Sequence, residues 1–381
     1  MIKAFLHDTI TDVDPARWDA VPGDPFSRHA VLTALEEASL PGVRLRYAVL
    51  EDRTGRWRAV APLAHVRLDG KQFAHGPLRQ AIERARRIRP ELLHTSAMVV
   101  GTPLSVGNPP ARLDPSADSC LLWSRLSGLV NEAADDAGAP WRAVKELGNE
   151  DSDSVDALGR LGWTLVPSEA GFVLPLRWAS FDDYQLDLRS AYRYRMRKAV
   201  SAFDRRGVHV DVLPLAEAYN DELHTLYEGV VARAPVLFEQ LTASFFRSFG
   251  RRYGAAAPLI RFRRDGRVVG WVAMFFAGGN AYDLFHGIDY DENARAAIYH
   301  NQLAAAVRLA IERRANRLSL GQSTAEPKLR LGAIPRPLSI ALRHRNAVVH
   351  TALRATRGTV FPEPDFPSHR VFRKAALGID V

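Results

Sequence analysis

Cysteine is almost missing from this chain: Cys120 is the only one in 381 residues. One thiol excludes an internal disulfide framework and every Cys-rich zinc site. Long apolar runs are missing as well. The longest uncharged stretch, residues 92–111, contains GTPLSVGNPP and has too much proline, glycine and polar character to span a bilayer. The opening residues MIKAFLHDTITDVD hold no apolar core, so a secretory signal is not expected and a cytoplasmic protein is. Among catalytic signatures, the Walker loop, His-Glu-x-x-His and the Gly-x-Ser-x-Gly elbow are all absent. Although there are 12 histidines, none forms a cluster with metal-ligand spacing.

What is present is ordinary globular material, 47% hydrophobic and 25% charged, in a chain long enough for two domains. The charge is unevenly placed. Residues 1–170 carry 20 Lys+Arg against 23 Asp+Glu, a net of −3, and the remaining 31 against 20 give residues 171–381 a net of +11. A basic half points to an anionic partner such as a nucleotide, a tRNA or a membrane surface. The arginine-rich, lysine-poor, alanine-rich usage also fits the codon bias of a GC-rich genome.

Two stretches look alike. RYAVLEDRTGRWRAVAPLAHV (Arg46–Val66) and LIRFRRDGRVVGWVAMFFAGG (Leu259–Gly279) each read strand, Gly-containing turn, strand. In the second, Asp265-Gly266 between alternating apolar runs is a strong hairpin signal. This weak similarity suggests a duplicated α/β unit with a boundary near Pro167–Gly171. In the second half, a helix is predicted over Tyr184–Phe203, then a strand, then helices over Asp221–Val231 and Leu237–Tyr253. The hairpin follows, and Asn280–Asp289 adds a third strand. Leu303, Ala306, Val307, Ala310 and Ile311 mark an amphipathic helix, and RLSL closes with a short strand.

That order resembles the GNAT acyltransferase fold, and two such domains in one chain resemble the FemABX family and the related BioF2-like acetyltransferases. The matching segments are LDLRSAYRYRMRKAVSAFDRRGVHV, HGIDYDENARAAIYHNQLAAAVRLAIERRANRLSLGQ and STAEPKLRLGA. The likeness covers Phe181 to about Arg345, and the first 170 residues by architecture only. It implies an α/β fold of two tandem GNAT-like domains, residues 1–170 and 171–381, each a mixed, mostly antiparallel sheet flanked by helices. It implies an N-acyltransferase with no bound cofactor, using acyl-CoA or aminoacyl-tRNA as co-substrate and a small-molecule or peptide amine as acceptor. One departure bears on the donor. The glycine turn that cradles pyrophosphate in acetyl-CoA-binding GNAT domains is replaced here by Arg295-Ala-Ala-Ile298, and a Cβ there hinders the close backbone approach. Fem-type relatives share this loss, and those characterised use aminoacyl-tRNA.

Several residues are candidates for the chemistry. Lys328 and Arg330, read as extended, face one side and make an anion clamp for a phosphate, a carboxylate or a developing oxyanion. By resemblance, Lys328 sits where Fem-type enzymes carry a functional lysine, with Gln322 in the same loop. Arg189, Arg193 and Arg197 fall at i, i+4, i+8, with Tyr192 and Tyr194 interleaved; such a stripe suits a tRNA acceptor stem, a nucleotide diphosphate or plain solvent. Asp283 or His286 is the candidate general base, and Tyr299 a donor to the leaving group. Arg295 and Asn301 at the helix start, and Glu239 after the APVLF run, complete the list of binding candidates. A binding module that has lost its site, or a nucleic-acid-binding protein, is the rival reading from another class.

Overall fold

The computed structural model describes residues 2–69, 76–87, 89, 94–107, 109, 111–234 and 240–373. The chain divides into two compact units. The first gathers Met1–Ser168 with Leu338–Glu363, and the second gathers Glu169–Arg233, Thr242–Pro337 and the segment from Pro364. The units are therefore not simple halves of the chain.

In the first unit, strands β1 (Lys3–His7), β2 (Val43–Glu51), β3 (Trp57–Asp69) and β4 (His94–Val100) run antiparallel in sequence order, with β5 (Arg112–Leu113) pairing β3. Strand β6 (Trp141–Leu147) lies parallel to β4 after the helix Ser119–Asp136, and the distant β13 (Ile334–His344) pairs antiparallel with β6. The helix starts where the Asp118 carboxylate accepts from the Cys120 and Leu121 amides. It buries Trp123, Leu126, Val130 and Ala133 against the sheet.

The second unit repeats this plan. The hairpin β9 (Pro258–Arg264) and β10 (Arg267–Ala277) turns on Asp265 and Gly266, both at positive φ (50° and 79°), the conformation that matches strand twist in a two-residue turn. Gly278 and Gly279 turn β10 into β11 (Asn280–Ile288) in the same way. Strand β8 (His209–Pro214) flanks β9 at the edge. Strand β12 (Arg317–Ser319) then lies parallel to β11, and β7 (Thr164–Pro175) pairs antiparallel with β12. Between β11 and β12 runs the helix Ile298–Glu312. Its buried stripe includes Ile298, Leu303, Ala306, Val307 and Ala310, as the apolar spacing predicts. Gly270 lets this helix approach the sheet, since a Cβ there would lie 2.7 Å from the Ile298 side chain. On the opposite face, Tyr219 and Phe246 pack edge-to-face with Trp271, whose indole N–H donates to Leu223 O at 2.8 Å, and Phe245 stacks with Phe249.

One predicted helix is two. The stretch read as Tyr184–Phe203 breaks into Phe181–Asp187 and Ser190–Arg205. Leu188 is extended there and bridges Phe372, while the Arg189 amide donates to Val371 O at 2.9 Å. Pairing with the segment after Pro364 outcompetes helix continuation, because it satisfies backbone groups that the break exposes. Residues 237–239 of the helix predicted over Leu237–Tyr253 lie outside the described residues; the helix runs Ala243–Tyr253.

Candidate active site

The site lies in the second unit, where the parallel pair β11 and β12 diverges. The two strands pair only at Ala281 with Leu318 and at Tyr282 with Ser319. The last paired residue on β11 is followed at once by Asp283.

A strand normally sends residues i and i+3 to opposite faces. Here Asp283 and His286 meet, with Nε2 of His286 2.9 Å from Oδ1 of Asp283. The reason is a β-bulge. Ala273 pairs Phe285 and Met274 pairs Asp283, so Leu284 is an extra residue opposite no partner. The bulge shifts the alternation by one and re-aims both polar side chains to the face of the Ile298–Glu312 helix. Phe285 is left on the other face, against Tyr227, Phe245 and Phe246.

The Asp283 side chain is wholly buried, at 0% exposure. Its approach to His286 is short but lacks hydrogen-bond alignment, so neither carboxylate oxygen receives an aligned donor. A buried carboxylate without donors carries a large desolvation penalty, and such groups in folded proteins call for an explanation. The other imidazole nitrogen, Nδ1, faces Oε1 of Gln302 at 3.2 Å. The Tyr299 ring stands edge-on to His286, with centroids 5.5 Å apart. Burial, and then the nearby Asp283 charge, push the Tyr299 hydroxyl above its ordinary range, while a hydrogen bond with Thr324 opposes them.

Lys328 is brought to the same place from the other strand. After β12, Gly321, Ser323 and Thr324 all adopt positive φ, and a short helix, Ala325–Leu329, follows. Pro327 fits its first turn, where the missing N–H has no intrahelical partner to lose. Lys328 is 4% exposed, donates from Nζ to Gln322 O at 2.5 Å and lies 5.5 Å from the Phe172 ring centroid. Burial pulls its ammonium down from 10.5 to about 8, against the opposing pull of the Asp283 and Glu169 charges.

The two-cation clamp does not form. Residues 328 and 330 lie on a helical turn, not an extended segment, and so point to different sides. Lys328 turns inward, while Arg330 is exposed and pairs with Glu326 at 2.6 Å. Glu326 also meets His369 Nε2 at 3.1 Å, and His369 Nδ1 lies 3.2 Å from the Tyr192 hydroxyl. Gln322 contributes its carbonyl to Lys328, and its amide donates to Glu169 O at 2.9 Å.

The other candidates are placed elsewhere. Asn301 is a tie between helices: its Nδ2 donates to Ala199, Ala296 and Ala297 carbonyls at 3.1–3.2 Å. Arg295 is exposed and 3.7 Å from Glu292. Arg189 precedes its helix rather than joining the stripe, and Arg193 donates to Leu186 O at 3.2 Å. Arg197 is exposed beside Arg195 and Lys198. Glu239 lies outside the described residues. At the helix start, Asn293 Oδ1 accepts the Tyr299 amide at 2.9 Å and Ile298 packs fully into the core.

Gln302 was not among the residues singled out from the sequence. Its signal was a polar residue on the apolar stripe of an amphipathic helix, four positions after Ile298 and four before Ala306. Among the described residues, no group of three His, Cys, Asp or Glu side chains could hold a metal ion, and no helix is long and apolar enough to cross a membrane.

No protein-family profile matches the chain. A protein named 8-amino-7-oxononanoate synthase 2 in two strains of Mycobacterium tuberculosis is 25% identical over 236 residues, which is 60% of this chain and 31% of that protein. The chain thus spans about a third of the length of the curated relatives it matches. Among solved structures, FemX superimposes with a TM-score of 0.56 at 14% identity, covering 92% of this chain and 100% of that one. A tandem GNAT protein from the clavulanic acid biosynthesis pathway gives 0.54 at 11% identity, covering 91% and 99%. The mixed α/β chain therefore has the tandem GNAT fold that FemX also displays.

Proposed function

We propose that the protein is an N-acyltransferase that moves an acyl or aminoacyl group from an activated donor to an amine, with the reacting centre in the second unit. The observation that carries this reading is the buried Asp283 carboxylate. It has no aligned donor, and it is contacted by His286 beside a buried lysine whose proton is loosened to about 8.

The parts fit the chemistry. As the amine nitrogen bonds to the acyl carbon, its proton passes to the His286–Asp283 pair. The bond from the acyl carbon to the leaving oxygen or sulfur breaks, and the pair returns the proton to that atom. Charge develops on the acyl oxygen in between. The Lys328 ammonium and the Tyr299 hydroxyl are the donors to stabilise it from a water-poor site. Lys328 has three N–H groups and one is engaged with Gln322, so donors are left over.

For the donor, an aminoacyl-tRNA suits the chain better than acetyl-CoA. The Tyr299 amide at the helix start is already capped, and no glycine opens the backbone there. Arg195, Arg197 and Lys198 stay exposed on the Ser190–Arg205 helix with no acidic partner among the described residues. Tyr194 projects beside them at 68% exposure. A cationic face with an exposed aromatic is the footprint of nucleic-acid binding. The acceptor is a small-molecule or peptide amine, and the reaction takes place in the cytoplasm, where charged tRNA is made.

The test is donor discrimination at fixed salt. Purified protein is titrated with aminoacylated tRNA, uncharged tRNA and acetyl-CoA, and turnover is followed with an amine present. Preference for charged tRNA with acyl transfer supports the reading. Binding of any duplex without turnover makes the chain a nucleic-acid-binding protein, and turnover with acetyl-CoA alone reverses the donor assignment.

A further inference from the structure

Gln302 is completely buried, at 0% exposure, yet it is polar and sits on the helix face packed against the sheet. Its surroundings decide which way its amide points. Nε2 lies 2.8 Å from Gly287 O and 3.2 Å from Trp271 O. Carbonyl oxygens only accept, so the reversed amide would set Oε1 against two other acceptors. Oε1 therefore faces Nδ1 of His286, at 3.2 Å. An amide oxygen also only accepts, so Nδ1 must carry a proton.

We infer that Gln302 is a positioning residue that holds His286 as its Nδ1–H tautomer and so makes Nε2 the nitrogen that exchanges protons. Nε2 is the atom 2.9 Å from Asp283 Oδ1. With Nδ1 already protonated, Nε2 is left as the imidazole nitrogen that takes and gives a proton beside that carboxylate. Had the tautomer been the opposite one, the Nδ1 lone pair would confront the Gln302 oxygen. The other neighbours do not interfere. Val272, paired with His286 across the ladder, is apolar, and the Tyr299 ring lies with its centroid 5.5 Å from that of the imidazole.

The sequence makes room for this arrangement at two glycines. A Cβ on Gly270 would lie 2.8 Å from Gln302 Nε2. A Cβ on Gly287, whose carbonyl anchors the amide, would lie 1.9 Å from the Trp271 indole nitrogen. The tautomer assignment stands on this geometry alone. Only its consequence for rate rests on the acyl-transfer reading.

The experiment is nitrogen NMR of the full chain labelled with 15N-histidine, the His286 signals being identified by their loss in His286→Asn. The wild-type spectrum is expected to show Nδ1 as the fixed N–H, with Nε2 as the nitrogen that changes with pH. A wild-type signal protonated only at Nε2 overturns the inference. In Gln302→Met, which removes the acceptor at nearly constant volume, a mixture of tautomers is expected. There kcat should fall on the order of 100-fold with KM nearly unchanged and a displaced pH profile. An unchanged tautomer in that variant also overturns it. Should Gln302→Met fail to fold, the wild-type spectrum decides by itself, since His286 protonated only at Nε2 there overturns the assignment. The spectra need no substrate, so a fixed tautomer in a protein without transferase activity keeps the Gln302 assignment and rejects the acyl-transfer reading.

Discussion

Replacing Lys328 with methionine isolates the energy of burying a charge in this site. The lysine is 4% exposed, and its ammonium titrates at about 8 instead of 10.5 because burial disfavours the charged form. At ~1.36 kcal/mol for each tenfold, that fall corresponds to about 3 kcal/mol. The direction with pH follows from proton binding. Between pH 8 and 10.5 the unfolded chain keeps this proton while the folded chain gives it up, so the unfolded state binds more protons and stability rises with pH. Below pH 8 both states are protonated and the folded state bears the whole penalty. The wild type should therefore gain about 3 kcal/mol relative to Lys328→Met as pH climbs through that window. Other lysines and tyrosines titrate there too, but they cancel in the difference between the two proteins. The assay is urea unfolding of both at half-unit steps from pH 7 to 10.5, supported by melting temperatures. For a domain of this size the change is worth roughly 6–12 °C. A difference that stays flat across the window, or shrinks for the wild type as pH rises, would refute the idea that this lysine is desolvated.

Further outcomes are expected. If the Lys328 ammonium stabilises the oxyanion, kcat/KM should decline above about pH 8 as it loses its proton; in Lys328→Arg that alkaline limb should vanish from the pH–rate profile. Gly287→Ala would place a Cβ 1.9 Å from the Trp271 indole nitrogen and threatens its 2.8 Å bond to Leu223 O; a loss of about 3 kcal/mol in denaturant unfolding is expected. Gly332→Ala combines a φ of +88° with a Cβ 2.2 Å from the Phe372 ring, and about 2 kcal/mol should be lost in the same assay. Reversing charge at Arg195, Arg197 and Lys198 should leave stability within roughly 0.5 kcal/mol per site. It should weaken tRNA binding and flatten its dependence on log salt by about 1 for each phosphate contact removed.

Much of the fold could be read before any coordinates. The Asp265-Gly266 turn and the apolar stripe of the Ile298–Glu312 helix are local signals, because positive φ and 3.6-residue spacing act over a few neighbours. The break at Leu188 was not legible. It depends on Val371 and Phe372, some 180 positions away, which offer the backbone a partner that periodicity cannot foresee.

The candidate site divides along the same line. The types of residue were visible: an acid and a histidine at the end of the third strand, a tyrosine at the helix start, a lysine after the short strand. Their meeting was not. Asp283 and His286 share a face only because Leu284 is an extra residue against β10, and a bulge is a property of pairing between strands. Lys328 and Arg330 part company because residues 325–329 coil, and a five-residue helix is stabilised by packing such as the burial of Leu329 rather than by its own propensity. Local chemistry thus settled which groups exist and which short elements carry them. Packing across the sheet settled which groups touch and how much water each one loses, and those two quantities set the charge and the reactivity of every member of the site.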